Sequence, residues 1–135
     1  MKKTTFIALI LFATAALTGC KKTIDIREDF VAIYSVTETW TENGKTLSKP
    51  IYSMPIYKSS QNSILLLLNN FGNYGIGVTA EATVSGNTIT IPQQTLPNSV
   101  MIVGSGTLDG TTLSFTYTET SKNVSIIIST VARMK

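Results

Sequence analysis

The chain has 135 residues, room for one domain, and its low charge (14%) with 43% apolar residues excludes a disordered segment. It contains no histidine and one cysteine, Cys20, which excludes Ser-His-Asp and Cys-His mechanisms, His/Cys zinc sites and any intramolecular disulfide. Setting aside Lys2 and Lys3 leaves nine basic residues against eight acidic ones, a balance with no electrostatic footprint for nucleic acid.

The N-terminal stretch comes first. Met1-Lys2-Lys3 is a positive start, and Phe6 to Leu17 is an apolar run. As a helix that run reaches about 18 Å, short of the roughly 30 Å hydrocarbon core, so it is no transmembrane span. Nor has it a polar face with which to pack as an amphipathic helix. It reads as a secretory signal peptide. The run closes on Leu17-Thr18-Gly19-Cys20, which resembles the lipobox of bacterial lipoproteins: an aliphatic residue, a small one, Gly or Ala, then Cys. The chemistry suits the pattern, since Gly19 lets a protease approach the backbone and a cysteine thiolate is a soft nucleophile.

The resemblance implies that Cys20 receives diacylglycerol, that residues 1–19 are removed, and that the new amino group is acylated, with palmitate-type chains. That covalent lipid is then the only cofactor. At about 0.8 kcal/mol per buried methylene, several acyl chains contribute on the order of tens of kcal/mol, which is permanent anchoring. Residues 20–28 become anchor and short tether, with Lys21 and Lys22 placed to meet an anionic bilayer. By analogy, Lys21 in place of an aspartate implies the outer membrane of the cell envelope. Lys21-Lys22-Thr23 differs from the acidic patch that sends lipoproteins of some gut bacteria to the cell surface, so periplasmic and surface faces both stay open.

The remainder, residues 29–135, reads as one all-β domain, because short alternating segments separated by turn residues replace any sustained helical period. Phe30, Ala32, Tyr34 and Val36 alternate with Val31, Ile33, Ser35 and Thr37. Asn43-Gly44 predicts a type I′ hairpin. A second strand carries Tyr52, Met54 and Ile56 on one face, with Pro55 suggesting an edge or bulge. Ile64, Leu66 and Leu68 are expected inward, Leu65 and Leu67 outward. Gly72-Asn73-Tyr74-Gly75 turns into Ile76, Val78, Ala80, Ala82 and Val84. Gly86-Asn87 leads to Ile89 and Ile91, ending at Pro92. Val100 to Leu108 follows, with Gly104 and Gly106 on one face, a sign of a bend or close packing. Asp109-Gly110 is a second type I′ signal before Leu113, Phe115 and Tyr117, and Val124 to Val131 is the last strand. Eight strands with short turns predict an antiparallel up-and-down (meander) β-barrel, whose closure removes exposed edges.

These segments resemble a small Bacteroidetes-type lipoprotein family of gut and environmental bacteria with a lipocalin-like (calycin-type) barrel. The resemblance is carried by Phe30-x-x-x-Tyr34-Ser35-Val36, Asn69-Asn70-Phe71-Gly72, Gly86-Asn87-Thr88-Ile89-Thr90-Ile91-Pro92 and Gly104-Ser105-Gly106-Thr107-Leu108. It covers nearly the whole domain, implies its fold, and transfers no activity. The Gly-x-Trp start of true lipocalins is absent, its place taken by Phe30 to Ile33.

The carboxylates Glu28, Asp29, Glu38, Glu42 and Glu81 are expected at hairpin borders or on the outer face, solvated rather than paired for glycoside hydrolysis. Gly72-Asn73-Tyr74-Gly75-Ile76-Gly77 has the wrong glycine order for a phosphate loop, lacks a Lys-Ser/Thr ending and runs into a strand. The expectation is therefore no enzyme and no metal. Binding readings remain. Phe30, Tyr34, Tyr52, Met54, Phe115 and Tyr117 either fill the barrel interior or line a pocket for a small hydrophobic ligand. Leu65, Leu67, Met101 and Val103 either form an outward patch for a protein partner or lie under the N-terminal Ile24 and Ile26. Exposed aromatics Trp40, Tyr57 and Tyr74 offer a weaker reading, a platform for glycans.

Overall fold

A computed structural model of the chain describes residues 22–135, so the expectations placed on residues 1–21, including Leu17, Thr18, Gly19 and Cys20, lie outside the described residues. The described residues form a closed antiparallel β-barrel in which each strand pairs with the next along the chain. The strands are β1 (Ile33–Glu42), β2 (Lys45–Ser48), β3 (Tyr52–Lys58), β4 (Leu65–Asn69), β5 (Thr79–Ser85), β6 (Thr88–Thr95), β7 (Met101–Asp109), β8 (Thr112–Ser121) and β9 (Val124–Met134). Both β2 and β3 pair with the same edge of β1, Trp40 opposite Leu47 and Tyr34 opposite Met54. They are two halves of one stave interrupted at Lys49-Pro50-Ile51, which gives eight staves. The ring closes where β1 meets β9, from Tyr34 opposite Met134 to Thr39 opposite Ser129.

Alternation puts the apolar residues inside. Tyr34, Val36, Met54, Leu66, Leu68, Ala80, Ala82, Ile89, Ile91, Ile102, Leu113 and Ile128 are all buried. The outward positions are rich in Ser and Thr, among them Ser35, Thr37, Thr83, Thr90, Ser114, Thr116 and Ser129. Such a face suits water; a membrane-spanning barrel turns an apolar band outward instead.

Two glycines set the aromatic packing. Gly104 and Gly106 on β7 lie directly opposite Tyr117 and Phe115 on β8. A Cβ on Gly106 would stand 2.2 Å from the Phe115 Cβ and 2.3 Å from the Ser114 carbonyl oxygen. The missing side chains are the space that the Phe115 and Tyr117 rings use, and Phe71 completes the cluster with ring centroids 4.8 Å from Tyr117.

Several local features differ from the sequence reading. Phe30 is buried as expected, but from a single 3-10 turn at Glu28–Phe30 rather than from the first strand. Ile64 and Ile76, expected inward, are exposed because each precedes its strand. The strand after Gly86-Asn87 does not stop at Pro92: the ladder with β7 slips between Ile91 and Gln94 and resumes to Thr95. Past the bulge the Gln94 side chain acts as a backbone substitute. Its amide donates to the Glu81 carbonyl at 2.8 Å, and its Oε1 accepts from the Glu81 N–H at 2.8 Å. Asn43 and Gly44 both take positive φ, as a type I′ turn requires. At the Asp109-Gly110 signal, Asp109 instead pairs with Thr112, so Gly110 and Thr111 form the turn.

Candidate functional site

The barrel has two ends. The base carries the β3–β4, β5–β6 and β7–β8 connections and the Glu28–Phe30 turn; the mouth carries the other four connections. At the base, the N-terminal segment is fastened by Arg27. Its guanidinium donates to the carbonyls of Ser59 (2.9 Å), Asn62 (2.8 Å) and Leu65 (3.3 Å) in the β3–β4 connection. Asp25 holds it from the other side, with Oδ1 accepting from Nε at 2.9 Å and Oδ2 from Nη2 at 2.8 Å. That bidentate clasp keeps the Asp25 carboxyl well below its ordinary range and raises Arg27. Lys58 adds ion pairs to Asp25 and Glu28. Arg27 is largely shielded and Asp25 is 29% exposed, so the clasp sits at the rim with its carboxylate toward water.

The mouth is different. Glu38, expected among the solvated carboxylates, is fully buried inside the barrel. The reason is the alternation itself, which carries Tyr34 and Val36 inward and takes the next even position with them. Its Oε1 accepts from two phenols, Tyr52 at 2.7 Å and Tyr117 at 3.1 Å. Its Oε2 lies 3.0 Å from the Lys49 ammonium, too poorly aligned for a hydrogen bond but close enough for a charge pair. Lys49 enters from the break between β2 and β3, where its own N–H donates to the Glu38 carbonyl at 3.1 Å. The ammonium also donates to the Gly72 carbonyl at 3.0 Å, stands 3.9 Å from Glu119 Oε2, and lies 4.9 Å from the centre of the Tyr74 ring. Tyr74 in turn donates to Glu119 Oε1 at 2.6 Å. Tyr52, Tyr74 and Tyr117 are all pushed up, by burial first and then by the neighbouring carboxylates. Tyr34, near the base, is pushed up to about 12 by burial alone.

The connection from β4 to β5 closes the mouth over this cluster. Asn70, Gly72, Asn73 and Gly75 all take positive φ there, which explains its Asn and Gly content. The Tyr74 ring lies so close over Gly72 that a Cβ would meet it at 2.8 Å. Asn70 ties the loop down, donating to the Ser53 carbonyl and accepting from the Gly75 N–H, both at 2.8 Å. Two carboxylates, one ammonium and three phenols are thus assembled and shut off by the chain's own side chain. The arrangement works as a stopper: Glu38 has no exposed surface, while the single ammonium of Lys49 is shared between the two carboxylates.

The residues expected to line the interior, Phe30, Tyr34, Tyr52, Met54, Phe115 and Tyr117, are all buried and interlocked with one another. The outward four fall into two pairs. Leu65 faces Thr83 on β5, Thr83 faces Thr90 on β6, and Thr90 faces Ser105 on β7, so the strand of Leu65 and Leu67 lies three spacings, roughly 14 Å across the sheet, from that of Met101 and Val103, and Met101 is displaced further along it. Ile24 and Ile26 lie beside Ser63 and Ile64, next to the first pair only, with an open hollow of about 380 Å³ between them. A larger open groove, about 610 Å³, runs outside the mouth between β1 and β9 along Trp40, Ile126 and Ile127. Trp40 packs partly on the core there, while Tyr57 is exposed on β3 near Leu67. Among the described residues no cluster of three or more His, Cys, Asp or Glu is placed to hold a metal ion.

The sequence reading missed Lys49 and Glu119 altogether. For Glu38 the signal was present in the period-two pattern and was outweighed by residue type. No protein-family model matches the chain, and no curated protein matches it.

Proposed function

We propose that this chain is a lipid-anchored protein of the bacterial outer membrane whose lipocalin-like barrel is a non-enzymatic interaction module. What supports the anchor is the order of the sequence: a positive start, an apolar run and Leu17-Thr18-Gly19-Cys20, followed at once by a domain that needs no further tether. What supports the interaction reading is one observation above the others. The barrel interior is filled by its own side chains, so recognition falls to the outer surface and the rims. A carrier of a small hydrophobic ligand would have to displace the Phe71, Phe115 and Tyr117 cluster first.

The anchor would also orient the domain. Cys20 lies three residues before Thr23, a reach of about 10 Å, and the segment that follows is clasped to the base by Arg27. The base then faces the bilayer and the mouth points away. Mass spectrometry of the N-terminal peptide from native membranes tests the reading. The expected product begins at Cys20 and carries diacylglycerol and an N-acyl chain, and Cys20→Ala shifts the protein out of the membrane fraction. An N-terminus still bearing residues 1–19, or a bare thiol, overturns it.

A further inference from the structure

Apolar residues are unevenly spread around the base of the barrel. Ile24, Ile26 and Ile64 line the open hollow beside the β3–β4 connection and are 81%, 43% and 44% exposed. On the outer wall of the same side, Ile33 opens β1 and Tyr57 lies near the base end of β3, both about half exposed. The opposite side of the base is polar. There the β5–β6 turn is Ser85-Gly86-Asn87-Thr88 and the β7–β8 turn is Asp109-Gly110-Thr111-Thr112, with Asp29 beside them. In a ring of eight staves the β3–β4 and β7–β8 connections lie four staves apart, on opposite sides.

A cluster of isoleucines left in water is completed by an apolar cover, and the course of the chain identifies which one. The N-terminal segment joins the barrel on this same side, because Arg27 is held by the β3–β4 connection. No more than about 14 Å of extended chain separates Cys20 from Ile24. A lipid on Cys20 therefore brings a bilayer surface to these residues first. The carboxylates of this side are matched by cations, Asp25 by Arg27 and Lys58 and Glu28 by Lys58.

We infer that the apolar side of the base rests in the bilayer interface, with Ile24, Ile26 and Ile64 at the boundary of headgroups and acyl chains and Tyr57 toward the water. The barrel is then tilted, its β3–β4 side lowered and its β7–β8 side raised. This contact presupposes the lipid anchor proposed above and fixes how the domain stands on it. Three isoleucines bind a bilayer weakly by themselves. Held there by the anchor, they meet it at a high effective concentration.

The test reads tryptophan fluorescence. Full-length protein from a bacterial host is extracted with its lipid and reconstituted into vesicles of brominated phosphatidylcholine, whose bromines quench a tryptophan that enters the interface. This lipid has no net charge, so attraction to Lys21 and Lys22 is not what is measured. Trp40, the one tryptophan of the chain, lies outside the mouth and should keep its fluorescence. In a Trp40→Phe background, Ile64→Trp should lose most of its fluorescence, and Thr111→Trp, on the raised side, much less. Adding Ile24→Ser to the Ile64→Trp variant should restore a large part of the signal, which a tether alone would not do. Circular dichroism checks the fold of each variant. If Trp40→Phe unfolds the barrel, Ile64→Trp is read with Trp40 in place, as the added quenched fraction. Equal quenching at positions 64 and 111 overturns the docking, as does undiminished quenching with Ile24→Ser. Mass spectrometry of the same sample separates the two readings: a bare thiol at Cys20 overturns the anchor, whereas an acylated protein with no quenching at position 64 overturns the docking alone.

Discussion

The two ends of the barrel each carry a cation held by carboxylates and backbone carbonyls, yet they do different work. At the base, Arg27 and Asp25 are two residues apart and sit at the rim. At the mouth, Lys49, Glu38, Tyr117 and Glu119 come from β1, the β2–β3 break and β8, and the carboxylate at their centre is sealed from water. At the rim clasp, water can take up the part-exposed Asp25 charge if Arg27 is lost, and three carbonyls still hold Arg27 if Asp25 is lost. A sealed cluster has no such fallback: each member is costly to bury unless all the others are present.

The sharpest way to break this comparison is to remove Glu38. Glu38→Ala strands the Lys49 ammonium and leaves the Tyr52 and Tyr117 hydroxyls without their acceptor. It should cost about 3–5 kcal/mol in chemical denaturation. Combining it with Lys49→Met should recover a large part of that loss, because the uncompensated charge goes too. If the double variant is no more stable than the single one, the cluster is not held by charge.

Alkaline titration probes the same end more gently. Tyr52, Tyr74 and Tyr117 have folded-state values above the ordinary 10.0, so the folded barrel holds their protons more tightly than the unfolded chain does. Their contribution is complete below about pH 10 and is lost as the pH rises toward their folded values. Phenolate absorbance from these three should appear together with loss of near-UV circular dichroism, not ahead of it.

The base should show the smallest effect and the opposite sign. Asp25 is held below its ordinary 3.8, so its contribution is present above that value and is lost as the pH falls. The stability gap between wild type and Asp25→Asn, measured by thermal unfolding, should close as the pH drops below about 4. Asp25→Asn should be milder than Glu38→Ala at neutral pH. A reversed order would mean that the rim clasp, and not the stopper, is the keystone of the fold.

How much of this was legible in the sequence follows the same divide. Alternation in Tyr34-Ser35-Val36 and Phe115-Thr116-Tyr117 fixes a strand face locally, and Asn43-Gly44 fixes a turn locally, so the barrel and its aromatic interior could be read. Gly104 and Gly106 signalled close packing, and the structure supplies the rings that need the space. What could not be read depends on register. Lys49 reaches Glu119 only because β1 lies between β9 and the β2–β3 stave, and Leu65 and Met101 are apart only because two Thr-lined strands intervene. The Lys122-Asn123 turn was missed for another reason. Both residues take positive φ, and a lysine there runs against the usual glycine or asparagine preference.

The Arg27 clasp has a mechanical consequence. If tension enters the domain from its N-terminal end, the first structure to bear load is a guanidinium gripping three carbonyls, and only afterwards β1. That strand is flanked on both edges, so pulling along it shears two ladders at once rather than peeling one open. Under such a load the clasp yields first and pays out a few residues before the strand is strained.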